Sequence, residues 1–297
     1  MEESNINKVN LPEINKEIKK ENRQLFISRF KSNHMLMIGL IIFILAVLAS
    51  IFAPWITPYT PLEMDTSKRL IEPGSEYWFG TDTFGRDIFS RIIYGIRASV
   101  IVGASVTIIS GVVGLIVGLY ASYYKILDHI LMRICDGLLA FPPILLALAL
   151  VAALGPHLRN VVIALSIVYF PSIARIVRSS AVVVREQTYV EAMKSLGSSS
   201  LRIIWKHIAP NVVSPMIVQA SFIFAISIIT EAMLSFLGAG IPAPDPSLGN
   251  ILYEGKDVIV KAWWMTIFPG GAIITLVLGI NLFGDGFRDL LDPYTQK

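Results

Sequence analysis

Residues Ala98–Tyr124, ASVIVGASVTIISGVVGLIVGLYASYY, run for 27 positions without a charged side chain. A bilayer core is about 30 Å thick, so a spanning helix needs about 20 apolar residues at 1.5 Å each. A helix facing water would carry a polar stripe at a period of 3.6, and this stretch has none. Gly103, Gly111, Gly114 and Gly118 lie within it. Gly114 and Gly118 form a small-xxx-small pair, the pattern of a closely packed helix rather than of a pore wall.

Five further stretches read in the same way: Met35–Ala53, Ile134–Leu154, Asn160–Ala174, Val212–Leu237 and Ala262–Gly284. The 15-residue fourth stretch is short, so it is expected to continue past Arg175 with that side chain snorkelling to the interface. Pro142 and Pro143 interrupt the hydrogen-bond ladder of the third and are expected to kink it. Only Asp136 and Glu231 bring charge into the six stretches. A charge at membrane depth costs roughly 2.5 kcal/mol or more, so each carboxylate needs a partner. Two readings stay open for both: a water-lined path or inter-subunit contact, and a carboxylate paired locally or reaching the headgroups.

The whole chain fits this picture. Of 297 residues, 54% are hydrophobic and 16% charged. Mean hydropathy is +0.63. Too little charge remains to coat a water-soluble globule, which argues against a cytosolic enzyme. The apolar content excludes disorder, and the single cysteine, Cys135, excludes a disulfide framework. A net charge of +3 gives no case for nucleic acid as a partner. Lys and Arg number 17 on the side that holds both termini and 8 on the other, placing the termini in the cytoplasm. The leader before Met35 carries five acids, and the apolar run that follows exceeds a signal-peptide core; it reads as an uncleaved anchor.

The longest inner loop, Arg175–Asn211, reads as two short helices and an elbow. Tyr189, Ala192, Met193 and Leu196 form one apolar stripe, and Gly197 supplies a left-handed cap. Ser198–Ser200 offers N-cap oxygens to a helix over Leu201–Ile208 that is expected to stop at Pro210. An amphipathic helix without a core of its own lies on a membrane or docks into another protein, and the residues alone leave both open. In the outer segment, Ile88, Phe89, Ile92, Ile93 and Ile96 share one face and Asp87, Ser90, Arg91 and Tyr94 the other. That pattern predicts an interfacial helix leading into the second span, after an extended loop over Thr57–Gly80.

Glu191-Ala192-Met193, then Gly197, then Pro210 resembles the "EAA" loop of inner-membrane permease subunits of ABC importers. The chain departs from that pattern at Met193, His207 and Ala209. Phe79-Gly80-Thr81-Asp82-Thr83-Phe84-Gly85-Arg86-Asp87 with Ser90-Arg91 is similar to the outer segment of dipeptide, oligopeptide and nickel permeases. Glu231 with Leu234-Ser235-Phe236-Leu237-Gly238, and Gly284-Asp285-Gly286-Phe287-Arg288-Asp289 with Leu291-Asp292-Pro293, match further signatures of that family. The likeness runs from Leu25 to Pro293, and is greatest to the second permease of the heterodimeric pair.

The resemblance implies an all-α integral membrane protein: six transmembrane helices with a type I ABC-importer-like permease core and a cytoplasmic coupling helix. The expected units are a cytoplasmic tail with an interfacial helix (1–34), an anchor helix (35–53), an extracytoplasmic loop and interfacial helix (54–97), the five-helix core (98–284) and a cytoplasmic tail (285–297). It also implies ATPase coupling by Tyr189, Glu191, Ala192, Met193, Leu196 and Gly197, and contact with an extracytoplasmic substrate-binding protein through Asp82, Gly85, Arg86 and Asp87. The implied partners are a homologous permease, two P-loop ATPases, the binding protein and the bilayer. The chain has no Gly-x-x-x-x-Gly-Lys-Ser/Thr, no His-Glu-x-x-His and no Gly-x-Ser-x-Gly. It is therefore expected to be no enzyme and to bind no cofactor or metal, with ATP and Mg²⁺ on partner subunits. The expected function is import of di- or oligopeptides by alternating access, with nickel chelates as the alternative. A secondary transporter is the rival of another class, weakened by the lack of a visible repeat.

Overall fold

The computed structural model describes Ser28, Phe30 and residues 32–291. The expected interfacial helix of the N-terminal tail falls almost wholly outside this set, as do Asp292 and Pro293. Among the described residues, five helices are long and apolar enough to cross a membrane: α1 (His34–Ile56), α2 (Ile88–Tyr123), α5 (Leu158–Arg185), α7 (the run Ser200–Phe236) and α9 (Trp264–Leu291). A bent pair, α3 (Lys125–Leu139) and α4 (Pro143–Leu154), is long and apolar enough for a sixth crossing when the two are counted as one span. Two short helices, α6 (Thr188–Ser195) and α8 (Leu248–Lys256), sit at opposite ends of the bundle.

The glycines set how the long helices meet. A Cβ on Gly114 would come within 2.6 Å of Ile173 Cβ, and one on Gly118 within 2.6 Å of the Ala174 carbonyl. Only a hydrogen fits there, so α2 and α5 lie backbone to backbone and run parallel. The central core gathers Val106, Leu119, Leu165, Ile173, Val177 and Ile223, all buried, where α2, α5 and α7 meet. Helix α1 packs on α9 in the same close manner: Gly39 faces the backbone of Phe283, and Gly286 faces Leu36. Asn33 caps α1 by accepting from Leu36 N at 3.0 Å, and its amide donates to Gly286 O at 3.3 Å.

Three expectations need correction. The outer interfacial helix is not a separate element: it is the first turns of a 36-residue α2, capped by Asp87. Its polar face is turned into protein rather than water, with Ser90 and Arg91 buried. The third span is broken rather than kinked, α3 and α4 meeting at 94°. Pro142 and Pro143 remove two adjacent donors, and the second proline starts a new helix, where its fixed φ is favourable. Finally, the helix before Pro210 does not stop. It continues into α7 through a π turn over Ile203–Ile208. The wider turn opens the ladder where the ring of Pro210 would strike the carbonyl four residues back. The extension of the fourth span past Arg175 is observed, since α5 runs to Arg185. Helix α9 likewise runs on past Gly284 to Leu291.

Candidate functional site

Helix α6 is fixed from one side and bare on the other. Val190 is its buried residue and joins the core beside Ile203, Ile204 and Ile208 of α7. Lys194 lies over the Tyr123 ring, 5.4 Å from its centroid, and Arg185 Nη1 donates to the carbonyl of Ser122. Both contacts tie the α6 region to the end of α2. The helix closes in a Schellman turn: Ser198 N donates to Met193 O at 3.1 Å and Gly197 N to Lys194 O at 3.0 Å. Gly197 has φ +78°, the left-handed conformation expected of it. On the other face Tyr189 is 43% and Leu196 85% exposed, and Glu191 and Ala192 are exposed too. Met193 is half-buried. The stripe named from the sequence thus stands largely uncovered. The anchor, Val190, was missed, although an apolar residue off the stripe was the available signal.

Two adjoining concavities open along α5, α7 and α9. The one towards the α6 end, about 390 Å³, is lined by Ile176, Ser214, Gln219, Phe222 and Arg288 among others. The deeper one, about 320 Å³, includes Tyr169, Ser172, Gln219, Phe222 and Asn281. They share Gln219 and Phe222, so they form one track. Among the described residues, Ser172, Gln219 and Asn281 have no hydrogen-bond partner, and each lies near the middle of its helix. An unpaired amide facing lipid costs several kcal/mol, so this face meets water or another polypeptide. Among the described residues no carboxylate lines the track, and the one guanidinium there, Arg288, is at the α6 end. Gln219 and Asn281 were absent from the sequence-derived site, yet each is an amide within a long apolar run.

The four outer-segment residues expected to meet a binding protein are all buried, so the expected contact surface is turned inward. Asp82 accepts from Arg86 Nε at 2.6 Å and from Arg91 Nη1, and both arginines reach Glu254 Oε2 on α8, at 2.7 and 2.6 Å. Gly85 has φ +77° and lies against the backbone of Asp65. Asp87 Oδ2 accepts from Ser90 N at 2.8 Å and Ser90 Oγ at 2.6 Å, while its Oδ1 is buried without a partner. Burial pushes its carboxyl above the ordinary value of 3.8. What this segment presents outward is Phe84, 46% exposed.

The two acids of the spans are paired locally. Glu231 is buried and accepts from Ser235 Oγ at 2.8 Å and Ser99 Oγ at 3.3 Å, away from the track. Asp136 pairs with Arg175 at 2.5 Å, both more than half exposed, where an ion pair contributes little.

These features define the membrane subunit of a transporter, and comparison with known proteins agrees. The chain belongs to the family of binding-protein-dependent transport system inner membrane components, which matches residues 110–297. Residues 22–73 match the N-terminal TM domain of oligopeptide transport permease C. The chain is 50% identical over 256 residues, 86% of each protein, to a Brucella suis protein named for a peptide transport system permease. It is 46% identical to the dipeptide transport system permease protein of Alkalihalophilus pseudofirmus, over 89% of this chain and 88% of that one. It is 42% identical to a glutathione transport system permease protein of Escherichia coli, over 90% and 89%. The fold is similar to a chain of the MetNI methionine ABC transporter in an inward-facing conformation, with TM-score 0.57 and 18% identity, covering 69% of this chain and 98% of that one. The all-helical, type I permease fold expected from the sequence is thus the fold observed.

Proposed function

We propose that this chain is one of two homologous permeases of an ATP-driven peptide importer in a bacterial cytoplasmic membrane, oriented with its termini and α6 inside. An ATPase subunit covers the exposed stripe of α6, and the track along α5, α7 and α9 is this subunit's half of the path. ATP and Mg²⁺ are held by the ATPases. The binding protein meets the outer end, where Phe84 rather than Asp82, Gly85, Arg86 or Asp87 is available to it. The names of the relatives favour peptides over nickel chelates. A track whose described residues offer amides and no carboxylate suits a peptide backbone, which needs both donors and acceptors.

The observation that carries this reading is the exposed apolar stripe on a helix rooted in the core. Because Val190 and the Lys194–Tyr123 contact tie α6 to α7 and α2, a push on the stripe moves the ends of both helices together. Alternating access then follows from rigid motion around the track. Replacing Ala192 with Glu would bury an unpaired charge in the docking surface, a cost of several kcal/mol. Substrate-stimulated ATP hydrolysis by the assembled transporter is expected to fall by at least about tenfold, with membrane insertion unchanged. Full stimulation in Ala192→Glu would overturn the docking.

A further inference from the structure

Helices α1 and α9 touch closely at the α6 end, through Gly39 and Gly286, and part towards the α8 end. Between them, backed by α2, lies a groove of about 570 Å³. Its walls are apolar, with Ile42, Ala46, Gly271 and Ala272 among them and Thr275 as the polar exception. Small side chains hold it open: a Cβ added to Gly271 would touch nothing within 4 Å. Leu45 and Ile267, which also line it, are 59% and 60% exposed. The groove therefore opens sideways at membrane depth.

Water does not suit this space, because a bound water needs two to four polar partners. An empty groove would forfeit the dispersion contacts of its walls. A protein helix, about 10 Å across, is too wide for a cleft that tapers to backbone contact between Gly39 and Phe283. A single hydrocarbon chain is slender enough. From Ile267 to Leu276 the groove follows α9 for about 14 Å at 1.5 Å per residue, the reach of much of an acyl chain. Its outer rim is aromatic: Trp78 packs on Phe89 at 4.9 Å and Trp263 on Phe268 at 5.8 Å. Both indoles are about half exposed, at 57% and 49%, where they can donate to a headgroup or glycerol oxygen.

We propose that the groove between α1, α2 and α9 is a binding site for one phospholipid acyl chain from the leaflet at the α8 end, with the headgroup at the Trp78–Trp263 rim. The test is photolabelling of the full chain in vesicles of phosphatidylethanolamine and phosphatidylglycerol, doped with a phospholipid carrying a diazirine within its acyl chain. Adducts are expected to concentrate on Ile42–Ala49 and Ile267–Leu276, in excess of those on Ile108–Val112, a stretch of α2 whose Ile108, Ile109 and Val112 face outward. The double variant Gly271→Leu with Ala272→Leu should lose the groove adducts and keep those on Ile108–Val112. Equal labelling of both regions in the unaltered chain, which needs no variant to fold, would overturn the site. So would persistence of the groove adducts in the filled variant, or a photoreactive residue placed at Ala49 capturing protein rather than lipid.

Discussion

Asp82 lies wholly buried between the guanidiniums of Arg86 and Arg91, which also share Glu254. Two acids balance two bases, so the group is neutral as a whole and expensive to break. Asp82→Asn leaves two buried guanidiniums facing one carboxylate. Removing one partner of a buried pair typically costs about 3–5 kcal/mol, which thermal unfolding in detergent should register as a lower midpoint. A melting curve identical to that of the unaltered protein would contradict the internal role assigned to the cluster. Asp87 should behave in the opposite sense. Its carboxyl is held above the ordinary 3.8 by burial, so its neutral form is the one that favours folding. That contribution is complete below the unfolded value and is lost as pH rises through the raised one. Asp87→Asn keeps an oxygen for the cap on Ser90 N and removes the buried charge. Its stability at neutral pH is expected to match or exceed the original, and the decline that sets in as pH rises above the ordinary carboxylate value should flatten.

Among the described helices, the α2–α5 seam is the most extensive contact, and it can be tested within one element. Gly114→Val places a branched side chain against Ile173, whereas a Cβ at Gly111 meets nothing within 4 Å, leaving Gly111→Val the roomier control. Both changes carry the same helix propensity, so their difference isolates packing. Gly114→Val should cost about 1–3 kcal/mol more, seen as earlier loss of the monodisperse peak on heating and gel filtration. The seam was legible because Gly114 and Gly118 are spaced one turn apart in an apolar run. The broken third span and the π turn were less legible. A proline states that the ladder fails at Pro143 or Pro210, but not whether the chain turns through 94° or widens by one residue. That choice rests with neighbours distant in sequence, such as Val190 on the π turn. The buried face of the outer helix was misread for a similar reason. Asp87, Ser90 and Arg91 look like a wet stripe until Asp82 and Glu254 arrive from elsewhere.

For the molecule as a whole, the decisive question is what covers the face bearing Ser172, Gln219 and Asn281. If it borders a path, Gln219→Cys and Asn281→Cys, each made in a Cys135→Ala chain, will react with a charged, membrane-impermeant thiol reagent in the assembled transporter. Ile274→Cys, at 68% exposure on the same α9 as Asn281, should resist it for want of water. Protection of Gln219→Cys by added peptide would tie the track to the cargo, and equal silence at all three positions would remove it from the path. Fold class and the α6 stripe could be read from apolar run lengths and one heptad. The track could not, because a side chain's face is fixed only once α5, α7 and α9 are set side by side. The clasp of Gly39 on Phe283 and of Asn33 on Gly286 joins positions 253 residues apart at its widest. Helix α1 therefore lacks its closest seat until α9 is threaded, and a chain truncated before Trp264 would leave it only its contacts with α2 and α7, an easier mark for quality-control proteolysis.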